Sequence, residues 1–192
     1  MAKGVKIDFD TTIDFDEIST DLRIGIFPTE LANGRIVPLK VEISNEEDDL
    51  IPNVYNLAFG PMDDRGELND AAQLEHKNYS SVFSTILFGG LTYLKTNPEH
   101  FLGVDGSSNS RALLYWRYLQ QNFNYLNQFF RFFGIKYYVR ISRFGKRQYD
   151  NPFDFEDILP YADPITKTNQ WPDQMYNYFI FRLKNKARLN VP

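Results

Sequence analysis

Cysteine is absent from the 192 residues, and histidine occurs only at His76 and His100. The lack of cysteine excludes disulfides, thiolate zinc sites and cysteine nucleophiles, and it is compatible with a reducing cytosol. Neither histidine has a partner at metal-ligand spacing, so a histidine-based zinc or acid–base site is not expected. We therefore predict a protein with no metal and no cofactor, and we assign no catalytic residue.

Long apolar runs are also missing. No stretch approaches the roughly 18 apolar residues that a membrane-spanning helix needs. The first ten residues, MAKGVKIDFD, lack the apolar stretch of a secretory signal. We therefore expect a cytoplasmic protein that does not enter the membrane. The hydrophobic content of 43%, with 17 Phe and 12 Tyr, is sufficient for a globular core.

Acidic residues are missing from one long part of the chain. Residues 1–105 carry 19 acids and 8 bases, whereas residues 106–149 carry 8 bases and no acid. We call residues 106–147 the basic segment. In a chain of net charge −4, such a segment indicates a negatively charged partner. Internal neutralisation by the acidic N-terminal strands is the alternative explanation.

Periodic apolar positions predict the secondary structure. Strand patterns occur at 5–9, 22–26, 36–43, 54–59, 101–104, 135–144 and 175–184. Helical spacing predicts one helix that ends near Lys95 and a second that runs to about Phe133, with Gly134 as its C-terminal cap. This order of elements predicts an α+β fold, a mostly antiparallel sheet with two long helices packed on one face.

The same patterns predict one domain over residues 1–192. We expect N-terminal strands at 1–60 and a helix–strand–helix–strand core at 61–149. A proline-rich arm and a final strand are expected at 150–192.

The turn between the strand at 101–104 and the second helix is the first candidate site. Ser107, Ser108 and Ser110 precede Arg111 there. Backbone N–H groups at a helix start bind phosphate, and an arginine can hold an anion through two hydrogen bonds. The turn lacks the spacing of a P-loop and of GxGxxG. An ordinary helix N-cap explains the same residues, and that interpretation stays open.

Two later parts of the basic segment add candidates. Arg117 lies on an amide-rich face of the second helix, and Lys136, Tyr138 and Arg140 share one face of the following strand. Cations that flank an aromatic residue suit phosphates beside a stacked base. A solvent-facing strand paired with acidic neighbours would show the same pattern. The candidate ligand-binding residues are Ser107, Ser108, Ser110, Arg111, Arg117, Lys136, Tyr138 and Arg140.

The stretch GVDGSSNSRALLY, residues 103–115, resembles the motif of an uncharacterised family of small proteins from Bacteroidota and related bacteria. In that motif a strand is followed by Gly-Ser-Ser/Thr, two variable residues, Arg, a second Arg two residues later, and Leu-Tyr. This chain is similar at Gly106, Ser107, Ser108, Arg111 and Tyr115. Leu113 stands at the position of the second arginine, which weakens a two-arginine anion clamp. The resemblance implies a bacterial or phage-borne intracellular protein and no particular activity.

These observations favour a non-catalytic intracellular binding protein. Its basic segment would engage a phosphate-bearing ligand, a nucleotide or nucleic acid, or an acidic protein partner. A toxin–antitoxin or phage-defence system is one setting for such a protein, by association only.

Two alternatives remain open. One is an assembly subunit of a phage or bacterial complex, in which aromatic residues of the proline-rich arm contact a partner or a second copy. The other is a metal-independent, nuclease-like enzyme built on the turn, Tyr115 and Arg140, for which the sequence shows no general base.

Overall fold

Two helices and an eight-stranded sheet make up the computed structural model, which describes residues 4–70, 72, 74–106, 108–141, 153–168, 176 and 178–184. The strands are β1 (Glu17–Ile18), β2 (Ile24–Glu30), β3 (Ile36–Glu47), β4 (Val54–Pro61), β5 (Phe101–Asp105), β6 (Phe130–Ile141), β7 (Phe153–Pro164) and β8 (Tyr178–Leu183). The helices are α1 (Tyr79–Thr96) and α2 (Asn109–Leu126). The predicted α+β class is confirmed, while the packing of both helices on one face stays a prediction. No described helix is long and apolar enough to cross a membrane.

The sheet contains one parallel pair. The strand order is β1-β2-β3-β4-β5-β8-β6-β7, and every neighbouring pair is antiparallel except β4 and β5. Parallel neighbours need a crossover connection, and α1 supplies it here. The chain then continues from β5 into α2, so the middle of the fold is a β–α–β–α unit.

The parallel pairing of β4 and β5 is short. Its register covers only three residue pairs, from Val54–Phe101 to Asn56–Gly103. Beyond them β4 continues along β3 as far as Pro61, while β5 continues along β8 as far as Asp105. The carboxyl ends of the two strands therefore lead to different neighbours, which leaves a gap at that edge of the sheet.

One large core joins the helices to the sheet. Buried residues of α1, such as Ile86 and Leu94, and of α2, such as Trp116 and Phe123, belong to the same cluster as Phe181 of β8. Both helices begin at a side-chain cap. The Asn78 side chain accepts from the Ser81 N–H at the start of α1, and the Ser108 side chain accepts from the Arg111 N–H at the start of α2.

The second helix is shorter than the sequence pattern predicts. It ends at Leu126, and Gly134 lies inside β6 instead of capping the helix. Phe130 and Phe132 are buried at alternate positions, so they fill the core as strand residues. An aromatic run of this kind has no helical or strand period of its own, and packing decides its conformation.

The region expected to be a proline-rich arm contains a strand. β7 pairs with β6 over most of its length, and Pro160 lies opposite Tyr137. β7 is the last strand of the sheet, where a proline does not have to donate to a further neighbour. The sequence pattern predicts a strand over residues 5–9, but these residues belong to no strand of the sheet. They contact the two helices instead.

Candidate functional site

A cleft opens where β4 and β5 separate. Its volume is ≈ 630 Å³, within the usual range of about 300–1,000 Å³ for small-ligand sites. We call it the β4–β5 cleft. Its apolar wall consists of side chains from β4, α1 and β5, namely Leu57, Phe59, Val82, Phe83 and Val104. The cleft therefore offers a nonpolar surface large enough for an aromatic or aliphatic group.

Arg111 lies at the cleft in the first turn of α2. The Ser108 Oγ accepts from the Arg111 backbone N–H at 3.3 Å, so the cap and the arginine belong to one turn. A helix N-terminus attracts anions, and a guanidinium strengthens that attraction. The strand–turn–helix that the sequence singled out thus contributes to the β4–β5 cleft.

Tyr79 lines the cleft, and its hydroxyl donates to the Leu74 carbonyl oxygen at 3.1 Å. Three further tyrosines, Tyr115, Tyr137 and Tyr178, also line the cleft. Burial raises the pKa of each of these three phenols above its ordinary value, and Asp105 adds to the effect in all three. For Tyr115 the nearby Arg111 acts in the opposite direction. Among the residues that the structure describes, none of the three hydroxyls has a hydrogen-bond partner. They are therefore available to donate to an oxygen of a ligand.

The polar lining includes more carboxylates than cations. Asp48, Asp70 and Asp105 line the cleft together with the amide of Asn56, and Arg111 is the arginine among them. A ligand with many negative charges would be repelled by this set of carboxylates. A ligand that combines one anionic group with hydroxyl or amino groups fits the lining better.

His76 supports the cleft without the geometry of a proton-transfer group. Its Nδ1 lies 3.1 Å from the Thr29 Oγ1, and its ring packs edge-on against Tyr79. Burial lowers the pKa of His76, so the neutral imidazole is favoured. The side chain thereby holds the residues before α1 against β2.

The structure separates the predicted site residues into two groups. In the turn and on α2, Ser108 is the helix cap, Arg111 lines the cleft, and Ser110 and Arg117 are exposed. Ser107 lies outside the described residues. The helix-cap interpretation is confirmed, while the anion-site interpretation of the same turn stays a prediction.

The second group lies on β6 and β7, which we call the β6–β7 ribbon. Lys136 Nζ is 2.7 Å from the Asp163 Oδ2, and Arg140 Nη1 is 3.2 Å from the Asp157 Oδ2. Tyr138 is exposed on the same face as Lys136, whereas Tyr137 points to the opposite face. In the described structure the acids that neutralise these cations come from β7 and not from the N-terminal strands.

Sequence reasoning missed several cleft residues. Asp105 stands directly before the turn, at the end of the strand, and could have been included from the motif alone. Tyr137 and Tyr178 gave no such signal, because their position depends on β8 lying between β5 and β6. Within the described residues, no group of three or more His, Asp or Glu side chains could hold a metal ion.

Comparison with known proteins identifies a family. A family model described as "Family of unknown function (DUF6934)" matches residues 27–155. No curated protein and no solved structure matches the chain. The matched range includes Arg111, Tyr115 and Tyr137 but ends before Tyr178.

Proposed function

The chain belongs to this family of unknown function, DUF6934, and we propose that it is a non-catalytic binding protein for a small phosphate-bearing ligand of nucleotide size. The ligand would occupy the β4–β5 cleft. One observation supports this proposal above the others: the parallel strands β4 and β5 diverge at their carboxyl ends, directly beside the start of α2. Clefts that combine an apolar wall with a few polar groups are the usual binding sites for small ligands.

The lining suggests how such a ligand would lie. Its phosphate would contact Arg111 and the first turn of α2. A base would pack on the apolar wall and among the tyrosines, whose rings bury large areas and whose hydroxyls can still donate. The Asp105 carboxylate would accept hydrogen bonds from ribose hydroxyls or exocyclic amino groups. The Asn56 amide could accept from the same groups or donate to a ribose hydroxyl.

A nucleotide fits this chain better than a long nucleic acid does. Nucleic-acid strands are held mainly by a row of cations along the phosphate backbone. Lys136 and Arg140 of the predicted basic row each have a carboxylate partner on β7. The cleft itself contains three aspartates beside Arg111. The proposal therefore narrows the predicted phosphate-bearing partner to a small molecule.

The biological setting is a further part of the proposal. The motif at residues 103–115 resembles that of proteins from Bacteroidota, which supports a bacterial or phage-borne protein of the cytoplasm. A toxin–antitoxin or phage-defence role would suit a small nucleotide-binding protein.

The replacement Arg111→Ala tests the function directly. Thermal unfolding of the full chain would be measured with inorganic phosphate and with ribonucleoside mono- and diphosphates, and affinities would follow by calorimetry. We expect at least one nucleotide to stabilise the wild-type chain, because a ligand that binds only the native state raises its stability. Arg111→Ala removes a charged hydrogen-bond pair, so the affinity for that nucleotide should fall roughly ten- to hundred-fold.

Arg117→Ala is the matched control. Arg117 is an exposed arginine of the same helix, six positions from Arg111 in sequence, and its loss should change affinity by less than about two-fold. Measuring affinity at several salt concentrations adds a second criterion. The affinity for a ligand with one phosphate group should fall slowly with salt, whereas the affinity for a nucleic acid should fall steeply. Equal losses in the two variants, or no stabilisation by any compound of the panel, would contradict the proposal.

The carboxylates of the cleft favour an enzyme as the second candidate. Asp105 and Asp70 are near enough to Tyr115 to raise its pKa, and Arg111 is near enough to lower it. This cluster supplies a candidate general base, which the sequence alone did not show. A phosphoester reaction would then be lost in Asp105→Asn while ligand binding persists, and turnover assays on the same nucleotide panel would detect it.

A protein partner or a second copy remains a proposal supported by β7. This edge strand exposes Phe155 at 61% and Leu159 at 65% of their surface. Large exposed apolar side chains on an edge strand are common at contacts that add a strand to a sheet. Sedimentation of the wild-type chain against Leu159→Lys would show whether an assembly uses this edge.

A further inference from the structure

Residues 4–13, which we call the N-terminal segment, run across α1 and α2 without joining the sheet. Only Phe9–Thr11 have regular structure, a single 3₁₀ turn. Val5 and Ile7 are nevertheless core residues, each 4% exposed. The groove between the two helices therefore holds an extended piece of chain.

Side chains of the helices satisfy the backbone of the segment. The bonds are Lys6 N–H to Ser80 Oγ at 3.0 Å, Ile7 N–H to Asn122 Oδ1 at 2.8 Å, Asp8 N–H to Ser84 Oγ at 2.9 Å, and Asn122 Nδ2 to Val5 O at 2.8 Å. Successive N–H groups of an extended chain point in opposite directions. Here they alternate between hydroxyls of α1 and the amide of α2.

The same kind of contact continues toward the end of the segment. The Phe9 N–H donates to the Tyr125 Oη at 2.8 Å, and the Ile13 N–H donates to the Thr85 Oγ1 at 2.8 Å. All these bonds recognise main-chain atoms. They would form with any extended peptide that places apolar side chains at alternate positions, so the groove has the chemistry of a peptide-binding site.

The fit of the segment is incomplete. An apolar cavity of ≈ 100 Å³ lies beside Ile7, lined by residues of both helices and the sheet that include Phe83, Leu119 and Phe132. Empty apolar volume loses dispersion contacts and costs stability in proportion to its size. The segment is therefore held less tightly than a fully packed core element.

The groove lies within the part of the chain that the family model matches. The bonding residues Ser80, Ser84, Thr85, Asn122 and Tyr125 all fall in the range 27–155, whereas the N-terminal segment precedes it.

We propose that the groove between α1 and α2 is a binding site for an extended peptide, filled by the chain's own N-terminal segment and open to the same segment of a second copy. The tethered segment has an effective concentration of about millimolar, so it occupies the groove in dilute solution. Exchange between copies would join them through identical contacts. The residues that bond the segment do not line the β4–β5 cleft, and the proposal does not depend on the proposed ligand.

A labelled peptide of residues 4–16 tests the proposal with the full chain. Ile7→Asp weakens the tethered segment, because it places a charge where the core is apolar. Fluorescence anisotropy should show the wild-type peptide binding this variant at least about a hundred-fold more tightly than the wild-type chain, whose own segment competes. The test requires that the variant still unfold cooperatively.

Variants of the groove locate the peptide. Adding Asn122→Leu to the Ile7→Asp chain should abolish binding, because it removes the bonds to the Val5 carbonyl and to the Ile7 N–H. Asn124→Leu, an exposed amide of the same helix, should leave binding unchanged. Equal binding of a scrambled peptide, or binding that survives Asn122→Leu, would overturn the proposal.

A nicked chain covers the case in which Ile7→Asp does not fold. A protease site inserted between Asp14 and Phe15 is cut after the wild-type chain has folded, which leaves the segment bound without its tether. Excess labelled peptide should then replace it, as read by mass spectrometry of the isolated complex. A nicked chain that retains its own segment and never takes up the labelled one would also overturn the proposal.

Discussion

Two tyrosines near the end of the chain each cover a glycine of another strand, but their hydroxyls differ in hydrogen bonding. Tyr178 covers Gly103 at the β4–β5 cleft, and Tyr176 covers Gly134 on the β6–β7 ribbon. The hydroxyl of Tyr176 donates to Asp163, which also pairs with Lys136. The hydroxyl of Tyr178 has no such partner among the described residues.

The difference separates structural polar groups from groups available to a ligand. Buried or half-buried polar atoms are normally hydrogen-bonded within the protein. The ribbon meets that rule with its own carboxylates, so its cations and its phenol stabilise the fold. In the cleft the phenol hydroxyls are not among the buried atoms that lack a partner, so they can bond to water or to a ligand. The basic segment therefore contains two regions that differ in how their polar groups are bonded.

Gly134→Ala should have the largest effect on stability. The added Cβ would collide with the Cγ of Tyr176, the ring atom nearest the backbone. Relieving a clash at Cγ requires the whole ring to move, so the contact with Asp163 and Lys136 would be lost as well. We expect the free energy of unfolding to fall by roughly 3 kcal/mol in urea titrations. Nucleotide affinity of the folded variant should not change, and a change would show that the two regions are coupled.

Gly103→Ala should have a smaller effect on stability but should alter the cleft. Here the nearest atom to the added Cβ is the Oη of Tyr178, the free end of the side chain. The ring can swing away at a cost of about 1 kcal/mol, the lower end for overpacking. Because the ring then enters the cleft, calorimetry should show about ten-fold weaker nucleotide binding. Unchanged affinity would remove Tyr178 from the proposed site.

Asp163→Asn should have the smallest effect at neutral pH. Its partner Lys136 and Asp163 are each 32% exposed, and such half-exposed pairs contribute about 1 kcal/mol or less. The clearer result concerns Tyr176, whose pKa is raised to about 12 by burial first and by the bond to Asp163 second. Loss of the Asp163 charge should lower that pKa toward the ordinary value.

The sign of the pH dependence follows from the raised pKa. The contribution of Tyr176 to stability is complete below pH 10 and is lost as the pH rises from 10 to about 12. Phenolate absorbance would follow the titration, with Tyr176→Phe to identify the signal. In Asp163→Asn the loss should still begin near pH 10 but should be complete at lower pH, and an unchanged titration would show that burial alone raises the pKa.

Local features of the fold were predictable from the sequence. The alternation in β2, β3, β4 and β6, the helical spacing of α1 and the cap at Ser108 each depend on residues a few positions apart. Arg111 could also be named as a candidate ligand-binding residue, because it follows a strand and a turn. The end of α2 was mispredicted because the aromatic residues after Leu126 are apolar at nearly every position, so their period is ambiguous.

The sequence by itself determined the α+β class, the N-cap in the turn before α2 and the segregation of charge. Only the tertiary structure decided that β8 lies between β5 and β6, that β4 and β5 diverge, and that β7 supplies the carboxylates that pair with Lys136 and Arg140. The physical reason is the range of the interactions. A period of two or 3.6 residues is set by neighbouring side chains, whereas strand order and the opening of a cleft result from packing between residues far apart in the chain.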